Sequence, residues 1–191
     1  MRSFPEFFEA SNEYTPEQLE KIASLVRTKQ VAKGEILLRR GETNTKGYFV
    51  MKGCLRSYAI DDKGKEHIFM FAPEGWLASD MTTFVRNTPS DLFIDAIEDS
   101  EVGVLDVRLF EAAGFDVKQL FGTGIDKLIN RVAVLQKRII MLMSASAWER
   151  YQHFLDTYPN IVQRVPQRMI ASYLGITPEA LSKLRGDMAK K

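Results

Sequence analysis

The side chains best suited to specific recognition sit near the C-terminus. Thr177, Glu179, Ser182, Lys183 and Arg185 are spaced so that one side of a helix presents them while Ala180, Leu181 and Leu184 face inward. A glutamate there can accept from a cytosine amino group, and a lysine can donate to guanine. Ser182 and Thr177 can serve a base or a phosphate. Gln167 and Arg168, a short way upstream, lie where a phosphate backbone would pass. That is hydrogen-bond readout of an anionic polymer rather than bond-making chemistry. Of the acidic groups Asp61, Asp62 and Asp80, the first two read as turn residues, and Glu98, Asp99 and Glu101 sit in a turn between strands. Two histidines and one cysteine supply no nucleophile–base pair and no metal-spaced set. The chain is therefore expected to be no enzyme and to carry no cofactor.

These groups need two short helices to hold them. Pro166 can start the first, with Met169, Ile170, Tyr173 and Leu174 as its apolar stripe. Gly175 breaks it and Ile176 plugs the turn. Thr177-Pro178-Glu179 opens the second, with Thr177 as cap and Pro178 in the first turn. Ala171 is small enough to let the two cross closely. Two short helices around a turn of about three residues containing Gly form the helix-turn-helix pattern. In that motif the second helix enters the major groove. A plain helical hairpin with solvated charges is the alternative. Upstream, Trp148 to Tyr158 reads as an amphipathic helix, with Tyr151, Phe154, Leu155 and Tyr158 on one side, ended by Pro159.

Before that comes a longer helix, starting at Asp116. Phe121, Ile125, Leu128, Val132, Leu135, Ile139 and Leu142 are spaced 4, 3, 4, 3, 4, 3. That heptad seam favours a left-handed pair of helices, so these seven are the expected dimer interface. The alternative is an amphipathic helix lying on its own domain, and Ile129, Val134 and Ile140 widen the apolar surface enough for both. The stripe stops at Ser144-Ala145-Ser146-Ala147, where the rod is expected to break.

The N-terminal part differs. Thr15-Pro16-Glu17-Gln18 is a capped helix start. From 29 to 107, short β-rich runs (Ile36–Leu38, Tyr48–Met51, Leu55–Ile60, His67–Phe71, Leu92–Ile97, Val102–Val107) alternate with turns marked by Gly34, Gly41, Gly53, Gly64 and Gly75. Such spacing predicts a sandwich, jelly roll or barrel. Arg108 to Ala113 reads as one short helix ending at Gly114.

Charge is unevenly placed. From Ala147 onward there are seven Lys/Arg against four Asp/Glu, a +3 segment in a chain of net +1. A basic tail on a mildly acidic body agrees with a nucleic-acid partner. Cys54 is the one cysteine, which excludes a disulfide framework and a cysteine-ligated cluster within the chain. No run reaches the ~18 apolar residues of a membrane span and no secretory h-region opens the chain. The expected location is the cytoplasm.

Lys33-Gly34, Gly41-Glu42, Tyr48-Phe49-Val50-Met51-Lys52-Gly53 and Asp62-Lys63-Gly64-Lys65-Glu66 follow in an order and spacing that resembles the Crp/Fnr family of bacterial transcription regulators, most of all its Bacteroidetes-type members. The resemblance covers nearly the whole chain. It implies an α+β protein: a cyclic-nucleotide-binding-like double-stranded β-helix (jelly roll) over 1–115, a dimerisation helix over 116–146, and a helix-turn-helix domain over 147–191. It implies a homodimer reading a roughly palindromic duplex, with RNA polymerase as a further candidate partner. A ligand-binding or scaffold roll without DNA binding is the competing class, and a cupin-like enzyme is a third.

The departures from the family's pattern matter. Cyclic-AMP-binding relatives carry a Gly-Glu opening a small helix in the roll and an Arg-Ser or Arg-Thr about ten residues on. Here those positions read Ser79-Asp80 and Ser90-Asp91, and the pair that reads adenine falls on Leu135-Gln136. The candidate effector pocket is thus Asp80, Met81, Arg86, Ser90, Asp91, Leu135 and Gln136, with Arg86 in a loop-like stretch and Trp76 and Phe84 flanking. Cyclic AMP is not expected to bind well. Either an unidentified small molecule occupies the pocket or Trp76 and Phe84 fill it. Haem would need His67 or His153, and neither is well placed. The family's wing, a hairpin after the recognition helix, is expected to be reduced or absent, leaving Lys190 and Lys191 as phosphate contacts.

Overall fold

A computed structural model describes residues 15–116 and 124–188, with backbone alone for 85 and 124–131. Phe121, Lys190 and Lys191 lie outside the described residues, as do the side chains of Ile125, Leu128 and Ile129. The chain divides into two compact units, residues 1–59 with 69–124, and residues 60–68 with 125–191.

The first unit opens with helix α1 (Pro16–Leu25), whose start is the expected capping box of Thr15 and Gln18. Eight strands follow: β1 (Arg27–Val31), β2 (Ile36–Leu38), β3 (Lys46–Lys52), β4 (Leu55–Ile60), β5 (Glu66–Ala72), β6 (Leu77–Ala78), β7 (Phe93–Ala96) and β8 (Ser100–Asp106). They form two four-stranded sheets, ordered β1-β8-β3-β6 and β2-β7-β4-β5. Helix α2 (Met81–Arg86) lies between β6 and β7, and α3 (Val107–Ala112) follows β8. Alternation sorts the side chains. Val31, Leu38, Tyr48, Val50, Leu55, Ile94, Ala96 and Val102 fill the roll. Phe49 and Leu105 point the other way and form a second cluster with Ile22, Phe84, Val107 and Phe110. Phe84 thus packs with α1 and α3 rather than flanking a pocket. Gly53 has φ +93°, and a Cβ there would lie 2.8 Å from the Ser100 Cα, so only glycine fits.

Most expected strands are present within a residue or two. β1 and β6 were not legible, and the small helix α2 ends on Arg86, so that residue is helical rather than in a loop.

In the second unit, helix α4 spans Gly124–Ser144, α5 Ala147–Thr157, α6 Gln167–Leu174 and α7 Pro178–Met188. Asp116 itself is in no regular element, and the start expected after it falls on residues 117–123, outside the described residues; α4 is described from Gly124. The expected break is real. α4 ends at Ser144, and Ser146 caps α5 through a reciprocal bond with Glu149. Residues 159–165 are turns and contain no strand.

Candidate nucleic-acid interface and effector segment

Helices α6 and α7 form the expected pair. The Gly175 N–H closes α6 onto the Ala171 and Ser172 carbonyls, with Gly175 in the left-handed region at φ +68°. The Thr177 hydroxyl accepts from the Ala180 N–H at 3.2 Å, capping α7. Met169, Ile170, Ala171, Leu174 and Leu181 are buried, as are Tyr151 and Phe154 from α5 and its C-cap Tyr158. The aromatic rings of Phe154, Tyr158 and Tyr173 pack with centroids 5.4–5.6 Å apart. Ala180 departs from its expected inward position: it is exposed, and Leu184 is only half-buried.

This core leaves the recognition candidates outside. Gln167 and Arg168 are exposed on the first turn of α6. Thr177, Glu179, Ser182 and Lys183 are exposed along α7, and Arg185 is half-exposed. Glu179 and Ser182, three apart, share a face. Hydrogen bonds from its own backbone N–H, and then with Thr177, hold the Glu179 carboxyl below the usual carboxylate range. Lys183 lies toward the flank. With Trp148, Ala180, Leu184, Asp187 and Met188 it lines an open, mostly apolar groove of about 610 Å³. Sequence reasoning missed that groove, because Trp148 sits 32 or more positions before the α7 residues it meets.

Helix α4 is exposed along most of its described side chains. Val132, Leu135, Ile139 and Leu142, four of the seven seam positions, are 52%, 47%, 55% and 43% exposed. Val134, Ile140 and Met143 are exposed as well. Arg138 and Met141 are half-buried. Arg138 has a partner. Its guanidinium lies 4.0 Å from the centre of the Tyr173 ring, and it donates to the Tyr173 carbonyl at 3.4 Å.

In the roll, two of the expected pocket residues meet. Asp80 caps α2, its Oδ1 accepting from the Thr82 N–H at 2.9 Å, and its Oδ2 accepts from the Ser90 hydroxyl at 2.7 Å. Both residues are buried. The Ser90 backbone is also tied to Gly41 and Glu42. Met81, Arg86 and Asp91 are exposed, and Leu135 and Gln136 belong to the other unit. Within the first unit the structure thus joins Asp80 and Ser90. Among the described residues no group of His, Cys, Asp and Glu could hold a metal ion, and no helix is long and apolar enough to cross a membrane.

The family model for the cyclic nucleotide-binding domain matches residues 28–114, which span β1 to β8 and α3. The chain as a whole is similar to the anaerobic regulatory protein of Aggregatibacter actinomycetemcomitans, at 26% identity over 94% of this chain and 72% of the relative. It is 27% identical to the fumarate and nitrate reduction regulatory protein of Vibrio cholerae, over 94% of this chain and 74% of that one. Among solved structures it shares its fold with FixK2 from Bradyrhizobium japonicum (TM-score 0.73, 22% identity, 86% of this chain and 85% of that one). A CooA mutant from Carboxydothermus hydrogenoformans gives TM-score 0.67 at 21% identity, over 96% and 84%. The roll and the helical region after it follow one another along the chain as in those structures, and the chain is similar over most of its length to the regulatory proteins named.

Proposed function

We propose that the chain is a sequence-specific DNA-binding transcription regulator that acts as a homodimer and whose roll does not take cyclic AMP. The observation that carries the proposal is the α6–α7 pair. Its apolar positions are buried, its turn glycine is left-handed, and the polar groups Gln167, Arg168, Thr177, Glu179, Ser182 and Lys183 are all left outside. Exposed apolar residues along α4 favour a second copy as its cover, because an unpartnered stripe of that length is costly in water. Crp/Fnr-family regulators bind DNA as dimers, in line with that cover. The Bacteroidetes-type branch has no support in the relatives named above and forms no part of the proposal.

Cyclic AMP is disfavoured by charge and by occupancy. The arginine that would meet a cyclic phosphate is missing, and Asp91 in its neighbourhood is exposed and solvent-screened. Asp80 stands where cyclic-AMP-binding relatives also carry a carboxylate, so the obstacle there is occupancy: both of its oxygens are already engaged, by the Thr82 N–H and the Ser90 hydroxyl. The charge obstacle is Asp91: at ~4 Å and an effective dielectric near 20, a phosphate and a carboxylate repel by roughly 4 kcal/mol before solvent screening, several times a net hydrogen bond.

The test is a gel-shift series on duplexes selected from a randomised pool. Lys183→Ala is expected to relax preference at one base position by about 1–3 kcal/mol, whereas Arg168→Ala weakens all sequences alike and lowers the salt slope by about 1. If both leave binding unchanged, the recognition helix is misplaced. Calorimetry with cyclic AMP is expected to show no micromolar binding.

A further inference from the structure

We propose that Ser172 is the joint coupling the tip of the β4–β5 hairpin to the α6–α7 pair, and hence a positioning residue for whatever α7 contacts. The functional half rests on the DNA-binding proposal above. β5 is the outer strand of its sheet, so one of its sides faces no further strand. At residues 66–68 that side is met by Ser172. The Ser172 hydroxyl donates to the Glu66 carbonyl at 2.7 Å and accepts from the Ile68 N–H at 3.0 Å. These two groups flank His67, and a single residue of a parallel neighbouring strand would take the same pair. A serine inside a helix usually bonds back to its own preceding turn. This one reaches out of its helix and stands in for a missing strand.

The tip it holds is stiff. Asp61 Oδ1 accepts from the N–H groups of Lys63 and Lys65 at 2.9 Å each, and Oδ2 contacts His67 Nε2 at 2.8 Å. The tip is continuous with β4 and β5, so a displacement of those strands reaches α6 through a braced turn and two short hydrogen bonds. The next residue, Tyr173, is the one held by Arg138 of α4. Adjacent positions of α6 are therefore tied to the hairpin and to the long helix. Ala171, Leu174 and Leu181, all buried, link α6 to α7.

The test uses the full chain with Ser172→Ala and Ser172→Thr. Alanine suits a helix interior, so α6 survives the first change, and threonine keeps the hydroxyl. Two quantities are read: amide hydrogen exchange at Ile68, with Ile170 as internal control, and affinity for a duplex that the wild-type chain selects from a randomised pool. In Ser172→Ala, exchange at Ile68 is expected to rise about tenfold, the scale of one or two lost hydrogen bonds, with Ile170 unchanged. Affinity is expected to change by about fivefold or more in either direction, while Ser172→Thr keeps both within about twofold. Unchanged exchange at Ile68 in the alanine variant overturns the clamp. Faster exchange with unchanged affinity overturns the coupling. If the wild-type chain selects no duplex, the DNA-binding proposal fails on its own. The coupling is then decided by exchange at Leu181, which must change in the alanine variant or the joint is refuted.

Discussion

Arg56 and Asp95 face each other across β4 and β7, and removing one of them exposes the energetics of the roll. The guanidinium donates through Nε at 2.7 Å and Nη2 at 2.9 Å to the two carboxylate oxygens. The side chains are only 8% and 9% exposed, so solvent cannot take the place of either partner. Asp95→Asn keeps the shape and removes the charge. It removes the carboxylate charge that both Nε and Nη2 of the buried guanidinium meet, and breaking a buried pair in this way costs about 3–5 kcal/mol. Because the amide oxygen still accepts one bond, we expect the lower end, about 3 kcal/mol, a large part of a typical domain's 5–15. The double variant Arg56→Met/Asp95→Leu is expected to recover much of the loss, since neither charge of the pair remains. The chain's two tryptophans make the assay clean: Trp76 lies in the first unit and Trp148 in the second. In a Trp148→Phe background, urea unfolding followed by Trp76 fluorescence reports the roll alone. A loss below about 1 kcal/mol for Asp95→Asn, the worth of an ordinary neutral hydrogen bond, would refute the buried-pair reasoning. So would a double variant as unstable as the single one.

Further expectations concern the second unit. Gly175→Ala should cost about 1–2 kcal/mol in Trp148-monitored unfolding, because the backbone is left-handed while the new Cβ meets Leu142 at an ordinary 3.6 Å; Gly175→Asn should cost less. Burial, then Lys137, holds the His153 imidazole below its usual range, with Arg138 acting the same way and Asp156 opposing. The unfolded chain therefore takes up that proton first as pH falls below ~6.5, so His153 contributes stability that is complete above that value and is lost on acidification toward the folded pKa. His153→Gln should flatten that slope in urea midpoints between pH 7.5 and 5. Ile139→Glu, at a seam position 55% exposed, should leave the monomer's melting intact and abolish dimers in sedimentation.

Much of this was legible wherever short-range rules decide the outcome. The Thr15 and Gln18 box, the left-handed Gly175 and the cap at Thr177 depend on residues a few positions apart, and the chain folds there as its local chemistry dictates. β1 was illegible because its sequence, Arg-Thr-Lys-Gln-Val, is exposed at four of five positions; its strand state comes from pairing with β8. β6 has two residues and no pattern of its own. In the candidate site, the departure at Asp80 could be read, but not that Thr82 and Ser90 use up its oxygens. Arg56 alternates like a solvent-facing residue, and only its placement opposite Asp95 makes it internal. Ser172 carried no signal, since its partner lies 104 positions away on a strand edge that exists only once the sheet has formed.

Native mass spectrometry of the chain with a duplex selected from a randomised pool bears most directly on the proposal that two rods deliver two reading helices to one site. The expected species holds two 21.8 kDa chains on one duplex, and Ile139→Glu removes it. A complex of one chain per duplex, or a two-chain species indifferent to Ile139→Glu, would contradict it.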